Sequence, residues 1–456
     1  MARRYHIETM GCQMNVHDSE QMAAMLEGQG WRAAKGRADA DLIVLNTCSI
    51  RQKAEEKVYS LLGRLAALKR RRPELIIAAG GCLAQQEGAA LLANCPHLDL
   101  VFGTHQVANL PGLLAEVERG RRPCELSLGY QFAESRRTPG LKAYVSIMQG
   151  CDNFCTYCIV PYVRGREVSR PQEAIVREVR GLAASGVREV TLLGQNVNSY
   201  GKRMAGGAEA ATFAGLLQEV ARTPGLERLR FTTSHPRDLS PELARLFGRL
   251  GPLCEHIHLP VQSGSTRVLA AMHRGYSRSD YLERIGRLRE ACPDIAITTD
   301  IIVGFPGESE TDFEQTLSLV REVGFDGAFS FKYSDRPGTA ASRLSGKLPE
   351  EVKGRRLSEL QALQEEITLA KNRLLAGSVQ EVLVEGASKR GATLTGRTRS
   401  NRIVHFAGPQ ELAGQLAQVR IEAAYSHSLK GTLVEERRPG RAFRQSMGKE
   451  ELCIAG

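Results

Sequence analysis

Short apolar runs separated by helical patterns constrain the fold of this chain more than any other feature. In the first 110 residues the runs are Tyr5–Thr9, Leu42–Asn46, Leu75–Ala79 and Leu98–Phe102. Runs of about five apolar residues that end in Gly, Asn or Thr are typical of buried parallel strands, and the segments between them are long enough for crossover helices. The pattern predicts an open parallel α/β sheet at the amino-terminal end of the chain.

The same alternation resumes after Arg119–Pro139, a segment rich in Arg, Pro, Gly and Ser that is predicted to be a linker. Strands are predicted at Ala143–Met148, Glu189–Leu193, Arg228–Thr232, Glu255–Pro260, Ile295–Ile302 and Gly327–Lys332. Helical patterns lie between them, at Pro171–Ala184, Phe213–Arg222 and Ser277–Ala291 among others. Six strand–helix repeats indicate a barrel or partial barrel, in which chemistry takes place at the carboxyl ends of the strands.

The last part of the chain changes from helical to strand periodicity. A long amphipathic helix is predicted over Glu350–Ala376, and its apolar stripe consists of Leu360, Leu363, Ile367 and Leu374. Beyond it, residues alternate between apolar and polar in the runs Val379–Val384, Arg402–Phe406 and Val419–Glu422. Gly and Asn turns separate these runs, which predicts a small antiparallel β-barrel.

Length and composition set the outer limits of the interpretation. A chain of 456 residues is too long for one compact domain, and we predict three, at residues 1–120, 137–370 and 373–440. A hydrophobic content of 42% with 25% charged residues excludes wholesale disorder. The chain has no leader-like start and no apolar run near the ~20 residues of a membrane-spanning helix. We therefore expect a cytoplasmic protein that acts as a monomer and has no membrane partner.

Three of the eleven cysteines occupy matching places in the amino-terminal sheet. Cys12, Cys48 and Cys82 each follow the carboxyl end of a predicted strand. In a reducing compartment, clustered cysteines bind metal or do redox chemistry more often than they form disulfides. A single cysteine is more often a small buried hydrophobic residue, but loops at the carboxyl ends of parallel strands meet at one edge of the sheet. We therefore expect these three cysteines to form one site.

A second set of three cysteines lies within eight residues, at Cys151, Cys155 and Cys158. The loop follows a predicted strand and Gly150, and three thiolates at this spacing can bind one soft metal centre. A structural zinc ion requires four ligands, and the next cysteine downstream is Cys254. The ligand count therefore favours a four-iron cluster with one open iron over zinc. The remaining cysteines are interpreted as structural: Cys95, Cys124, Cys254, Cys292 and Cys453.

Positive charge is concentrated near the carboxyl-terminal end. The net charge is +10, and Lys371–Gly456 alone carry 14 basic and 8 acidic residues. A well-solvated surface is one explanation. A basic β-barrel favours nucleic-acid binding instead, because phosphate contacts dominate such affinity. The predicted RNA-binding residues are Lys389, Arg390, Arg397, Arg399 and Arg402.

The Cys151 motif, with the aromatic Tyr157 before its last cysteine, resembles that of the radical S-adenosylmethionine superfamily. The resemblance implies a partial (β/α)6 barrel and an open iron that binds the methionine end of S-adenosylmethionine, whose cleavage gives a 5′-deoxyadenosyl radical. The usual Gly-Gly-Glu after the second strand is here Gly-Gln-Asn. The implied cofactor-binding residues are Tyr157, Gly194, Gln195, Asn196, Gln262 and Ser263.

Motifs along nearly the whole chain resemble the methylthiotransferases within that superfamily. They lie at Met10–Asn15, Asn46–Cys48, Gly80–Cys82, Cys151–Pro171 and, in a barrel of the TRAM type, Gly396–Arg402. The resemblance implies a second [4Fe-4S] cluster, held by Cys12, Cys48 and Cys82, and S-adenosylmethionine as both methyl donor and radical source. The implied substrate is the anticodon loop of a tRNA, a single-stranded RNA that a protein can splay and bind. An electron donor and a sulfur source are implied as well.

The amino-terminal motif also distinguishes the branches of this family. The form Gly-Cys-Gln-Met-Asn resembles the branch that thiomethylates N(6)-dimethylallyl-adenosine next to the anticodon. Sister branches carry Gly-Cys-Lys-x-Asn or Gly-Cys-Pro-Lys-Asn and act on threonylcarbamoyl-adenosine or on an aspartate of a ribosomal protein. Two alternatives from other classes are a metal-stabilised RNA-binding protein without catalysis and an iron–sulfur carrier.

Overall fold

The computed structural model describes residues 2–49, 52–129, 140–388, 391 and 393–434, with no side-chain description for residues 52–55. The second half of the predicted linker, Cys453, Lys389 and Arg390 lie outside these residues. No helix among the described residues is both long and apolar enough to cross a membrane.

The amino-terminal part forms a six-stranded sheet in which every pair of neighbouring strands is parallel. Its strands are β1 (Arg4–Thr9), β2 (Arg32–Ala33), β3 (Leu42–Thr47), β4 (Ile76–Gly81), β5 (Leu100–Phe102) and β6 (Cys124–Glu125), in the spatial order β2-β1-β3-β4-β5-β6. Its helices are α1 (Gln13–Gly28), α2 (Gln52–Arg71), α3 (Cys82–Glu87), α4 (Ala89–Asn94) and α5 (Leu110–Glu118). Separate apolar clusters cover the two faces of the sheet, which confirms the predicted open parallel α/β architecture.

The central part consists of two parallel three-stranded sheets that share one large apolar core. Its strands are β7 (Lys142–Ser146), β8 (Met148–Gln149), β9 (Val168–Ser169), β10 (Glu189–Leu193), β11 (Arg228–Phe231), β12 (His256–His258), β13 (Ala296–Val303) and β14 (Gly327–Lys332). The sheets have the orders β11-β10-β7 and β12-β13-β14, and β8 pairs with β9 as a short antiparallel ribbon. The shared core makes these six strands one partial barrel, as predicted.

The helices of the central part pack around these sheets. They are α6 (Val160–Arg164), α7 (Gln172–Ala184), α8 (Phe213–Ala221), α9 (Pro241–Leu246), α10 (Thr266–Ala271), α11 (Arg278–Ala291), α12 (Glu310–Val323) and α13 (Glu350–Arg373). Capping boxes begin α11 at Ser277 and α12 at Ser309. Single 3-10 turns occur at Arg37–Asp39, Val107–Asn109, Val197–Ser199, Ala205–Gly207, Pro236–Asp238, Ala341–Arg343 and Gln410–Leu412.

Helix α13 differs from its prediction at its carboxyl end. The helix ends at Arg373 rather than at Ala376, and the Leu374 side chain is 82% exposed instead of lying on the apolar stripe. Leu360 is fully buried in the central core, whereas Leu363 and Ile367 pack against its edge. The helix therefore extends only as far as its apolar residues pack against the central core, because this burial, rather than local periodicity, stabilises the helix.

The carboxyl-terminal part is a closed five-stranded barrel, as predicted. Its strands are β15 (Val379–Ala387), β16 (Leu394–Thr398), β17 (Ile403–Ala407), β18 (Leu416–Ala424) and β19 (Leu429–Leu433), in the order β15-β16-β17-β19-β18. Alternate side chains fill the interior of the barrel. Because the sheet is closed, it has no free edge strand.

Buried arginines on strand β11 anchor this barrel to the central part. Arg228, the first residue of β11, is fully buried and donates hydrogen bonds to the carbonyl oxygen of Arg397 (2.6 Å) and to the carboxylate of Glu381 (2.9 Å). Arg230 donates to two backbone carbonyl oxygens at the end of β16 (2.9 Å each). The carboxyl-terminal barrel therefore docks near the amino ends of the central strands.

Replacing Arg228 by leucine should loosen this docking. We expect a loss of about 3 kcal/mol in stability, because the Glu381 carboxylate and the backbone acceptors lose their buried donor. The matched control is Arg222→Leu, since the Arg222 side chain is 69% exposed in an ion pair within one helix and should contribute about 0.5 kcal/mol or less. Urea denaturation of both variants measures the difference, and equal midpoints would contradict the anchoring role.

Candidate active site

The three amino-terminal cysteines follow three neighbouring strands of the parallel sheet. Cys12 is the residue before helix α1, Cys48 follows β3 directly, and Cys82 is the first residue of α3. Strand β3 pairs with β1 on one side and with β4 on the other. The structure therefore brings these cysteines to one edge of the sheet, as their sequence positions predicted.

Glycines allow the three strand ends to approach each other. Gly11 has φ +124°, and a Cβ atom placed on it would lie 2.9 Å from the sulfur of Cys48. Gly81 has φ +90°, and its added Cβ would lie 2.4 Å from the carbonyl oxygen of Thr47. Both positions thus require glycine for its backbone conformation and for space, which explains the Gly-Cys pairs of the sequence.

Burial and charge differ among these thiols. Cys48 and Cys82 are each 2% exposed, whereas Cys12 is partly exposed. Burial raises the pKa of the Cys82 thiol, and the nearby Cys12 raises it further, while Arg164 lowers it through a charge interaction and a hydrogen bond. Two of the three thiols are therefore shielded from solvent, and the guanidinium group of Arg164 lies near them.

The second cysteine loop connects strand β8 to helix α6. Gly150 has φ +78°, and a Cβ on it would lie 2.0 Å from the carbonyl oxygen of Arg166, so the loop entrance also requires glycine. The amide of Cys151 donates to the carbonyl of Gly165 (3.2 Å), which closes the base of the loop. Burial raises the pKa of Cys151 to about 11 and that of Cys158 to about 12.

Arg274 is a buried contact of this loop that local sequence patterns did not indicate. One of its terminal nitrogens lies 3.4 Å from the sulfur of Cys155 and 3.5 Å from the hydroxyl of Tyr157. The other terminal nitrogen donates to the carbonyl oxygen of Pro260 (2.7 Å). The guanidinium group thus lies against a cysteine of the loop, although 119 residues separate the two in sequence.

The residues expected to contact S-adenosylmethionine divide into two groups. Gln195 accepts a hydrogen bond from the amide of Gly150 (2.6 Å), so it lies beside the cysteine loop. Asn196 is buried and donates to Asp238 (2.7 Å). Gly194 packs on the strand before that loop, where an added Cβ would lie 2.5 Å from Met148. Tyr157 is within the loop itself, beside Arg274.

The remaining two residues lie on the other half of the partial barrel. Gln262 has φ +74° and forms a bridge to Ile301 of β13. Ser263 is fully buried, and its hydroxyl lies 3.4 Å from that of Thr316 on α12. Ser263 therefore contacts the packing around α12, and the direct cofactor contacts of both residues stay predictions.

Glu167 is a further buried group near the loop that sequence patterns did not single out. It is 4% exposed, and within the described part of the chain its Oε1 has no hydrogen-bond partner. Its amide donates to Asp152 inside the loop (3.2 Å), and its carboxyl group interacts with the Cys151 thiol and hydrogen bonds with Ser199. Burial raises the pKa of Glu167 to about 7. A carboxyl group held this way suits a cationic partner.

Two of the arginines expected to bind RNA contact the central part of the chain. Arg399 donates to Glu255 (2.7 Å) and to the carbonyl oxygen of Leu253 (2.7 Å). Arg402 forms an ion pair with Asp326 (2.5 Å), and Arg397 pairs with Glu385 on the adjacent strand (3.2 Å). The guanidinium groups of Arg399 and Arg402 thus bind the barrel to the central part, whereas that of Arg397 stays within the barrel. Direct RNA contacts by these residues stay predictions.

The donor atoms of both cysteine sites fit iron–sulfur clusters. Among the described residues, no three His, Cys, Asp or Glu side chains converge closely enough to bind a single metal ion. In a [4Fe-4S] cluster each cysteine binds a different iron, so the ligands stand further apart than those of one ion. Two sets of three thiols, with no histidine or carboxylate among them, suit such clusters better than zinc.

Profiles of known families match three parts of the chain. Residues 4–103 match the uncharacterized protein family UPF0004, residues 145–320 the radical SAM superfamily and residues 373–434 the TRAM domain. A solved structure with a similar fold is the radical S-adenosylmethionine methyltransferase TsrM from Kitasatospora setae. The TM-score is 0.54 at 15% identity, over 75% of this chain and 74% of that chain. These matches define the class of the protein as a radical S-adenosylmethionine enzyme.

Curated relatives resemble the chain over almost its whole length. The tRNA-2-methylthio-N(6)-dimethylallyladenosine synthase of Syntrophus aciditrophicus is 52% identical over 95% of this chain and 95% of its own length. The enzyme of the same name from Geobacter metallireducens is 53% identical over 94% of this chain and 98% of its own length. The chain belongs to the family of tRNA-2-methylthio-N(6)-dimethylallyladenosine synthases.

Counting iron should separate the two cysteine sites. The anaerobically reconstituted chain should bind about eight irons, and replacing Cys12, Cys48 and Cys82 together by alanine should leave about four, because each site holds one [4Fe-4S] cluster. Cys124→Ala is the matched control, since Cys124 belongs to neither site. Iron and acid-labile sulfide assays measure the outcome. Bound zinc without labile sulfide would refute the cluster assignment.

Proposed function

We propose that this chain transfers a methylthio group to carbon 2 of N(6)-dimethylallyl-adenosine next to the anticodon of tRNA. The single observation that supports this most is the presence of two three-cysteine sites joined through helix α6, in a chain 52% identical to an enzyme named for that product. Bound [4Fe-4S] clusters and S-adenosylmethionine supply the radical and the methylthio group of the reaction. The chain's own residues bind, orient and shield these groups.

Three features of the second cysteine loop suit it to cofactor binding. Its three thiols leave one iron of a cluster open for a substrate. Arg274 lies against the Cys155 sulfur and fixes the orientation of that ligand. Cys151 and Cys155 are 9% and 8% exposed, so the loop keeps most water away from the metal and from a reactive carbon radical.

Glu167 is the group that we assign to the ammonium of S-adenosylmethionine. The superfamily's usual carboxylate after the second strand is missing from Gly194-Gln195-Asn196. Glu167 supplies a buried carboxyl group beside Cys151, while Lys202, whose charge acts on Glu167, donates to Asp238 (2.7 Å). The unpartnered oxygen of Glu167 can therefore accept a hydrogen bond from a bound ammonium group.

Glu167→Gln should weaken binding of S-adenosylmethionine about tenfold, because a neutral amide replaces a charged acceptor. An analogue without the amino group should bind both proteins equally. Glu173→Gln, an exposed position on the next helix, is the matched control. Calorimetric titration of cluster-loaded protein measures the affinities. Equal losses for both ligands would contradict the assignment.

The carboxyl-terminal barrel supports RNA as the substrate. Residues 373–434 match the TRAM domain, and the relatives are named for a tRNA product. We propose that the anticodon loop, splayed as a single strand, reaches the cysteine sites while basic residues of the chain contact phosphates. Domain limits at residues 1–120, 137–370 and 373–440, action as a monomer in the cytoplasm, and a separate electron donor and sulfur source belong to the same proposal.

Two cysteine variants test the reaction itself. Cys151→Ala should abolish formation of 5′-deoxyadenosine from S-adenosylmethionine, because the cluster loses one of its three ligands. Cys12→Ala should retain some of this cleavage but lose thiomethylation, since only the other site is damaged. Product nucleosides are measured by mass spectrometry. Full thiomethylation by Cys12→Ala would refute the assignment of two separate roles.

Cells that lack this protein test the substrate. Their tRNA should contain N(6)-dimethylallyl-adenosine without its 2-methylthio form. An undiminished 2-methylthio peak would overturn the proposed substrate, and loss of the methylthio group from threonylcarbamoyl-adenosine or from a ribosomal-protein aspartate would indicate a sister branch.

A further inference from the structure

Helix α6 directly follows the second cysteine loop and packs against the amino-terminal domain. Ile159 and Val163 form a small buried cluster with Cys82, a cysteine of the other site. The hydroxyl of Thr104 donates to the carbonyl oxygen of Val163 (2.6 Å), and a ring nitrogen of His105 bonds to the carbonyl oxygen of Arg164 (3.0 Å). The segment from Ile159 to Arg164 is thus bound to the amino-terminal domain by apolar contacts and by hydrogen bonds.

Arg164, the last residue of α6, points its guanidinium group into the first cysteine site. Its side chain is 4% exposed and forms an ion pair with Asp18 (3.0 Å). The same nitrogen donates to Asn15 (3.1 Å), and the guanidinium group hydrogen bonds with Cys82. Arg164 therefore connects a cluster cysteine to two polar side chains of helix α1.

Asn15 extends this connection to the other two cysteine loops. Its amide nitrogen donates to the carbonyl oxygen of Met10 (2.8 Å), before Cys12, and to that of Thr47 (2.9 Å), before Cys48. Arg164 and Asn15 together thus contact all three loops that carry the amino-terminal cysteines.

Arg164 and Asp18 form a buried ion pair at the edge of the first cysteine site. A buried ion pair often contributes no more to stability than an apolar pair of the same size, because both charges lose their hydration. Three cysteine thiolates on an iron–sulfur cluster carry negative charge, and a nearby cation stabilises that charge most in its reduced form. The planar guanidinium group has five N–H donors, so Arg164 can interact with Asp18 and with Cys82 at the same time.

We propose that Arg164 is a positioning residue for the amino-terminal cluster, holding its cysteine loops in place and offsetting its negative charge. This inference rests on the proposed function, because it requires a cluster at Cys12, Cys48 and Cys82. Through α6, the same residue fixes the distance between that cluster and the loop at Cys151.

The test uses the full chain with Cys151, Cys155 and Cys158 replaced by alanine, so that only the amino-terminal cluster remains. Arg164→Met, Arg164→Lys and Asp18→Asn are introduced into this parent. Iron content and the reduction potential are measured, the latter by anaerobic titration followed by electron paramagnetic resonance.

We expect opposite shifts from the two partners. Arg164→Met should lower the ratio of reduced to oxidised cluster at a fixed potential about tenfold, which for one electron corresponds to about 59 mV. Asp18→Asn should raise the reduced fraction, because it removes a negative charge, and Arg164→Lys should lie close to the parent. If the Arg164–Asp18 pair had only a structural role, the two substitutions would not shift the reduction potential in opposite directions.

Two outcomes would overturn the proposal. One is an Arg164→Met protein with the iron content and potential of the parent. The other is equal loss of iron and equal loss of thermal stability in Arg164→Met and Arg164→Lys, which would make Arg164 a folding residue only. If the parent itself binds no iron, the proposed function fails, and the two failures are therefore distinguishable.

Discussion

Parallel pairing of strands is the constraint on which the rest of this structure depends. Because parallel strands end at the same edge of a sheet, cysteines 34 and 36 residues apart meet in the amino-terminal domain without any local motif to join them. The central part applies the same geometry, with its cysteine loop after the first strand of a parallel sheet. Both sites thus lie at carboxyl strand ends, and helix α6 needs only five residues to join them.

Each cysteine site includes one buried arginine on one of its thiols. Arg274 contacts Cys155, and Arg164 contacts Cys82. Both guanidinium groups are also held by acceptors of the protein itself, Pro260 in the first case and Asp18 in the second. Fixed cations of this kind keep their orientation when the charge of a bound group changes, so they need no rearrangement during a reaction.

Local patterns were sufficient for the elements whose burial is regular along the chain. The limits of Glu189–Leu193 and Gly327–Lys332 were predicted without error, and both cysteine sets follow strands as expected. Hydrophobic periodicity did not predict the strands that form only through contacts with distant parts of the chain. The strands at Arg32–Ala33 and Cys124–Glu125 have two residues each, too few for a pattern, and exist only because a neighbouring strand pairs with them.

The arginines of the carboxyl-terminal barrel show the same limit for function. A basic run in a β-barrel indicates contact with phosphates, but nothing local reveals that Glu255 and Asp326 of the central part stand opposite Arg399 and Arg402. Arg164 and Arg274 were missed for a related reason, because their partners lie up to 149 and 119 residues away in sequence.

The docking of the carboxyl-terminal barrel through Arg228 fixes the distance between that barrel and the cysteine loop. That barrel is held near the amino ends of the central strands, whereas the cysteine loop lies beyond their carboxyl ends. A five-residue strand such as β10 spans about 17 Å, at about 3.3 Å per residue. Under the proposed function, an RNA bound by the barrel has to span at least this distance to present a base to the cysteine sites, so the fixed spacing of the two parts limits which RNA shapes can react.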